Sequence, residues 1–197
     1  MNKKCVDFQF YKPLSVYPFL STLLEYKNEI RHETLQITSK WIEWPEDLVL
    51  NGKWSVIPFY GFGRWVHKNC KACPTISYVL HKIPGLRSAI LSRLGPHTLL
   101  DSHQGWGRLA NNVLRCHYVI QCYEKSCYIQ VENRRVHVSQ NHIYVFDDSK
   151  MHSAGNMSDY DRIVLLIDIK RPACVCKGRS DVPFTTELQE FDKYAQM

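Results

Sequence analysis

The stretch Val113-Leu-Arg-Cys-His-Tyr-Val-Ile-Gln121 decides the fold. Side chains alternate between the two faces of a strand, so Arg115, His117 and Val119 point one way and Leu114, Cys116 and Tyr118 the other. An arginine and a histidine sharing one face of so apolar a run are costly to bury unless an anion lies between them. The run therefore reads as a strand whose inner face binds something.

From residue 86 onward the pattern is one of short apolar runs, at 89–94, 113–121, 128–132, 135–138, 143–146 and 162–169. Gly95-Pro96, Glu132-Asn133 and Ser139-Gln140-Asn141 punctuate them as turns. Residues 54–60 add a strand ended by Gly61-Phe62-Gly63. So many short strands predict a mainly β protein with a sandwich or barrel core. Upstream, residues 16–26 place Phe19, Leu20, Leu23 and Leu24 on one helical face, with Ser15 or Ser21 as a cap. Trp41, Trp44 and Trp54, divided by Pro45 and Asn51-Gly52, predict an irregular segment. Pro74 suits the first turn of a helix over 75–83 that stops at Pro84-Gly85. Pro172 ends the last strand, and a polar tail carries one short helix near 186–194. The expectation is a single domain over 1–197, with a helical and irregular region 1–53, a β-core 54–172 and a tail 173–197.

The chain has 197 residues, 45% hydrophobic and 22% charged, which suits one ordinary globular domain. It holds no apolar run of about 18 residues, so no membrane span is expected. Its first residues are basic with no apolar stretch behind them, which predicts no signal peptide and a cytoplasmic location. Eight cysteines in such a chain predict reduced thiols. The formal charge is +6, but the basic residues are scattered, which argues against a nucleic-acid partner.

His103 and His152 stand 49 positions apart. Two neutral imidazoles suit a first-row divalent metal and leave several coordination positions open. The usual non-haem iron pattern adds a carboxylate two residues after the first histidine, where this chain has Gly105. Asp101, a later acid or water would then complete the shell. Arg162 begins the apolar run Ile163-Val-Leu-Leu-Ile167, where a guanidinium is expensive unless paired. A dicarboxylate would pair it through two parallel hydrogen bonds. Taken singly, each of these histidines reads more simply as an ordinary polar residue. Asp147 and Asp148 suit turn formation and hydrogen bonding to an imidazole. Cys70-Lys-Ala-Cys73 has zinc-like spacing, but its only companion, Cys174-Val-Cys176, is too tight for a second pair, so a structural role is expected.

Phe146-Asp-Asp-Ser149 with His152, then Arg162-Ile-Val-Leu-Leu-Ile-Asp168, Arg115-Cys-His117 and Ser92 occur in an order that resembles the aspartyl/asparaginyl β-hydroxylase family. These are iron- and 2-oxoglutarate-dependent oxygenases with a double-stranded β-helix core, and the resemblance covers 119 of the 197 residues, from Trp54 to Pro172. It implies that His103 and His152 ligate Fe(II). It implies that Arg162 and Ser92 hold the distal carboxylate of 2-oxoglutarate, and that Arg115 and His117 contact the carboxylate nearer the metal. Gly105 fits, because mammalian members also bind iron through two histidines alone. Val113 stands where the animal enzymes carry a substrate-facing arginine, and Ile90 where they carry a lysine. The substrate therefore does not transfer from them.

The expected function is a dioxygenase that consumes O2 and 2-oxoglutarate and hydroxylates an amino-acid side chain such as Asp or Asn, free or in a peptide or protein. Succinate and CO2 would be the co-products. Alternatives are a hydroxylase of another substrate such as a lipid acyl chain, a catalytically silent β-helix binding protein, and a zinc-stabilised basic nucleic-acid module. Trp106, Arg108 and Asn111 are candidates for the substrate entrance.

Overall fold

In the computed structural model, which describes residues 5–38 and 40–195, the opening stretch is a central strand of the larger of two antiparallel sheets. The chain begins with β1 (Phe10–Tyr11), α1 (Pro13–Val16), a 3-10 turn over Pro18–Leu20, α2 (Ser21–Glu25) and α3 (Lys27–Gln36). There follow β2 (Ile42–Glu43), β3 (Val49–Asn51), β4 (Trp54–Gly61), β5 (Arg64–Trp65), α4 (His67–Ala72) and α5 (Pro74–His81). Next come β6 (Leu86–Leu94), β7 (Thr98–Leu100), α6 (Gly107–Ala110), β8 (Val113–Gln121), β9 (Cys127–Val131) and β10 (Arg134–His137). The chain closes with β11 (Ile143–Phe146), β12 (His152–Asn156), β13 (Arg162–Lys170) and α7 (Thr186–Ala195).

The larger sheet runs β1-β11-β8-β13-β6-β4-β2, with β5 hairpinned onto β4, and the smaller runs β10-β9-β12-β7-β3. Period-two alternation explains the layering. On β13, Val164 and Leu166 face inward and meet Cys127, Ile129 and Val131 of the smaller sheet. Ile163, Leu165, Ile167 and Ile169 face outward onto Leu20, Leu23, Ile30, Ile76 and Leu80 of the helices. Both faces of this strand are covered, which is why its sequence is nearly continuously apolar. The mainly β, double-stranded β-helix architecture with helices against one sheet is the expected one.

Several elements differ from the sequence expectation. The helix expected over 16–26 is broken by Pro18 into α1, a 3-10 turn and α2, and neither Ser15 nor Ser21 caps a helix with its side chain. The longest helix of that region, α3, begins only at Lys27. β12, with the sequence His-Ser-Ala-Gly-Asn, lacks the β-branched and aromatic residues that mark strands, and it is held by pairing with β9 and β7.

Cys5 and Cys176 form a disulfide, so reduced thiols are found at six of the eight cysteines. Cys73 is buried in the core with its thiol pushed up to about 12 by burial, and Cys70 Sγ donates to Phe59 O at 3.7 Å. Both behave as structural residues. The tail is not peripheral. Arg171 binds Asp147 Oδ2 at 2.8 Å, Cys176 O at 2.7 Å and Ala110 O at 2.9 Å, and so directs the following residues across the open end of the barrel. No described helix is long and apolar enough to cross a membrane.

Candidate active site

His103 and His152 are joined through their own backbones. His103 N donates to His152 O at 2.9 Å and His152 N donates to His103 O at 2.8 Å, an isolated antiparallel bridge. Their ring centroids are 4.3 Å apart. Each Nδ1 lies 2.8 Å from a backbone carbonyl, Asp101 O for His103 and Lys150 O for His152. A carbonyl can only accept, so each Nδ1 carries the hydrogen and each Nε2 keeps a lone pair. Burial keeps both rings neutral and lowers the His103 pKa to about 3 and that of His152 to about 4. Two neutral imidazoles with Nε2 lone pairs are what a divalent metal requires. Among the described residues no group of three or more His, Cys, Asp or Glu side chains is arranged to hold a metal ion.

Beside them lies the Asp148 carboxylate, for which the sequence predicts turn formation and hydrogen bonding to an imidazole. Asp148 Oδ1 is 3.4 Å from His152 Nε2 and 2.5 Å from Arg115 Nη1. The latter approach lies off the hydrogen-bonding direction, and both Asp148 oxygens are buried without a hydrogen bond. Arg115 spends its better-directed donors on Asp168, with Nε to Oδ1 at 2.8 Å and Nη2 to Oδ2 at 3.0 Å. Ser88 Oγ donates to the same Asp168 Oδ2 at 2.6 Å. Burial pushes the Asp148 pKa up to about 6, against the pull of Arg115 and with the help of Asp168, which shares that guanidinium. A Cβ on Gly105 would overlap the Asp148 carboxylate, so glycine at 105 is a steric requirement. Asp147 makes the expected turn, since its Oδ1 accepts from Ser149 N at 3.0 Å and Ser149 Oγ at 2.7 Å.

Deeper in the barrel Arg162 is 2% exposed and makes no ion pair among the described residues, and its Nε is without a hydrogen bond. Its Nη2 faces His117 Nδ1 at 3.5 Å. The guanidinium can only donate, so His117 Nδ1 is the accepting nitrogen and the hydrogen sits on Nε2, which is buried and unpartnered. Burial, then Arg162 and Arg115, hold this imidazole well below its ordinary pKa, hence neutral. Trp54 Nε1 donates to Ser92 Oγ at 3.0 Å, which leaves the serine hydrogen to give. Unsatisfied donors this deeply buried call for an anionic acceptor. The Phe146 ring stands between His117 and His152, at centroid distances of 5.1 and 5.3 Å, and links the donor group to the imidazole pair.

A cavity of about 640 Å³ opens onto His103 and Arg115. One wall is a row of aromatic rings. Trp44 stacks on Trp54 at 4.5 Å and 20° and on Trp106 at 6.0 Å and 8°, Phe184 meets Trp106 edge-on at 5.4 Å, and Phe62 meets Phe184 at 5.4 Å. The row passes from buried Trp54 to Phe62, which is 48% exposed. Glu46 satisfies the polar edges of this wall, with Oε2 accepting from Trp44 Nε1 at 3.3 Å and Oε1 from Trp106 Nε1 at 3.0 Å. Ile90, Leu109, Leu166 and Leu188 continue the apolar lining.

The structure thus gathers His103 with His152, and Ser92 and His117 with the Arg162 end of the barrel. Arg115 stands apart from that second group, between Asp148 and Asp168. Trp106 and Arg108 line the cavity, whereas Asn111 instead binds the tail through Asn111 Nδ2 to Ser180 O at 2.8 Å. Asp168 ends the run that Arg162 begins, but only the pairing of β13 with β8 places it opposite Arg115. Glu46, Trp44 and Phe184 come from the two chain segments outside the β-core, and nothing in their local sequence signals a site.

Residues 25–172 match the sequence model of a family described as aspartyl/asparaginyl beta-hydroxylase. The chain is 34% identical over 122 residues to an ornithine lipid ester-linked acyl 2-hydroxylase of Rhizobium tropici, an alignment covering 61% of this chain and 42% of that protein. The chain therefore spans less than half the length of this relative. In fold it is similar to an oxidoreductase of the 2OG-Fe(II) oxygenase family from Burkholderia pseudomallei, at TM-score 0.54 and 11% identity, covering 81% of this chain and 82% of that one. It is also similar to a prolyl hydroxylase from Trichoplax adhaerens in complex with a hypoxia inducible factor peptide fragment, at TM-score 0.55 and 10% identity over 74% and 78% of the two chains.

Proposed function

The chain belongs to the aspartyl/asparaginyl beta-hydroxylase family, and from that premise we propose that it is an Fe(II)- and 2-oxoglutarate-dependent dioxygenase that hydroxylates an unactivated carbon of an apolar substrate. The observation that carries this reading is the buried, carboxylate-free guanidinium of Arg162 behind a pair of neutral imidazoles.

The residues fit the group. His103 and His152 would hold Fe(II) through Nε2, with their Nδ1 hydrogens fixed on carbonyls so that the rings cannot turn. Arg162, Ser92 Oγ and His117 Nε2 supply the donors for the dicarboxylate, and Arg115 contributes beside the metal through Asp148. Bound there, the metal and 2-oxoglutarate would supply the oxidising power: O2 and 2-oxoglutarate are consumed, the substrate C–H becomes C–OH, and succinate and CO2 leave. The protein's own contribution is positioning and exclusion of water. The apolar wall keeps a C–H bond beside His103.

For the substrate, the wall favours an aliphatic chain over an aspartyl or asparaginyl side chain. The R. tropici relative is named for acyl 2-hydroxylation, which agrees. Hydroxylation of an amino-acid side chain is the second reading, supported by the family description and by Gln104 and Arg108, which line the same cavity.

The test is succinate formation from 2-oxoglutarate with added Fe(II), including turnover without substrate. Absence of succinate across a screen of acyl and amino-acid substrates, with no uptake of iron or manganese, would overturn the reading and leave a binding protein.

A further inference from the structure

The cavity carries a second chemical character at its open side. Arg64, Arg87 and Arg108 all line it and are all exposed, whereas its two carboxylates are already engaged. Asp168 is held by Arg115 and Ser88, and Glu46 accepts from Trp44, Trp106 and Thr185. Among the described residues Arg87 and Arg108 form no ion pair. An apolar interior with arginines at the solvent side is complementary to a molecule with a hydrocarbon tail and an anionic head.

The aromatic row specifies the tail. Trp44 stacks against both Trp54 and Trp106, and Phe184 and Phe62 meet their neighbours edge-on. Sugars and nucleobases are recognised by stacking on an open ring face, and Trp44, in the middle of this wall, is already stacked with two neighbours. It offers a ligand aromatic and aliphatic surface over successive steps of 4.5 to 6.0 Å, which suits a long flexible chain.

We infer that the substrate is a single-chain anionic amphiphile, its tail lying along the Trp54–Trp44–Trp106–Phe184–Phe62 row and its head group, a phosphate or carboxylate, held at the rim by Arg87 and Arg108. This rests on the apolar-substrate reading above and adds the charge that selects the head.

The experiment titrates the whole chain with dodecyl phosphate below its micelle-forming concentration, following tryptophan emission and, by calorimetry, stoichiometry. The expected result is saturable binding of one molecule per chain, about ten-fold tighter than a dodecyl ether with an uncharged head. The double variant Arg87→Ala/Arg108→Ala should bind dodecyl phosphate about ten-fold more weakly and the uncharged ether unchanged. Both arginines are exposed, so its melting temperature should equal that of the wild type, which separates a lost contact from a lost fold. Equal affinity for charged and uncharged heads would overturn the inference, and so would a double variant that behaves as wild type. Inorganic phosphate that binds as tightly as dodecyl phosphate would reduce the site to a bare anion site and refute the tail. None of these readouts uses turnover. Absent succinate formation with intact amphiphile binding would count against the hydroxylase reading alone.

Discussion

Gly105 and the Asp148 carboxylate share one volume, because a Cβ built on Gly105 falls on the carboxylate that sits beside His152. The backbone reinforces this, with Gly105 N donating to Asp148 O at 2.8 Å. The space beside the position that many non-haem iron enzymes use for an acidic ligand is thus filled from a different strand end. Restoring an acid there should fail. Gly105→Asp is expected to lower stability by about 2 kcal/mol through overpacking, and to bind Fe(II) no more tightly than the wild type. A stable Gly105→Asp variant with tighter iron binding would show that Asp148 is dispensable at that spot.

Arg162 buries a charge with no carboxylate partner. Arg162→Met keeps most of the volume, so the ligand-free variant should melt at or above the wild-type temperature, as replaced buried charges often do. Its affinity for 2-oxoglutarate by calorimetry should fall by about 100-fold or more, the loss of a bidentate charged pair. Unchanged cosubstrate affinity would refute the role given to this residue.

Removal of one imidazole leaves a single protein donor. His152→Ala should lose stoichiometric binding of Fe(II) or Mn(II), read by metal analysis after desalting, together with all succinate formation. Retention of one metal per chain would place the metal elsewhere.

The pH dependence of the metal-free chain follows from the same group. His103 and His152 have folded pKa values of about 3 and 4, below the ordinary 6.5, so the unfolded chain takes up protons that the folded chain refuses. Stability is then complete above about 6.5 and falls as pH drops toward 4. Asp148, raised to about 6, acts in the opposite sense, because its contribution is present below 3.8 and lost as pH rises through 6. The histidine loss therefore outweighs a partly compensating carboxyl. Urea midpoints between pH 4 and 7 should rise with pH, and the slope should be shallower in His152→Asn. A flat or falling profile would contradict the burial of these rings.

The disulfide joins residues 171 positions apart. Cys5→Ser/Cys176→Ser should cost about 2 to 4 kcal/mol in chemical denaturation, and a reducing agent on the wild type should reproduce that loss. No change would mean that Arg171 alone secures the tail.

The strands with strong period-two or continuous apolar patterns, β8, β11 and β13, were readable to within a residue, and α5 was announced by Pro74 and Gly85. β12 was not readable, because its short polar and small residues are strand only by virtue of their neighbours. The pairing of Arg115 with Asp168 was hidden for a different reason. Local sequence tells which face a side chain occupies, but only strand order tells what stands opposite. The same limit conceals the Cys5–Cys176 bond and the aromatic row, whose members Trp44 and Phe184 lie 140 positions apart on irregular segments. Length and composition predict reduced thiols throughout, and the Cys5–Cys176 bond overturns that expectation at two of the eight positions.

The backbone bridge between His103 and His152 has a consequence for loading. Where metal ligands lie on separate flexible segments, the ion must draw them together, and folding and metallation become one event. Here two reciprocal hydrogen bonds have already fixed the spacing of the rings. Chelation should therefore leave the circular dichroism of the chain unaltered, and the empty protein should be a persistent species that waits for its metal rather than a partly unfolded one that is made by it.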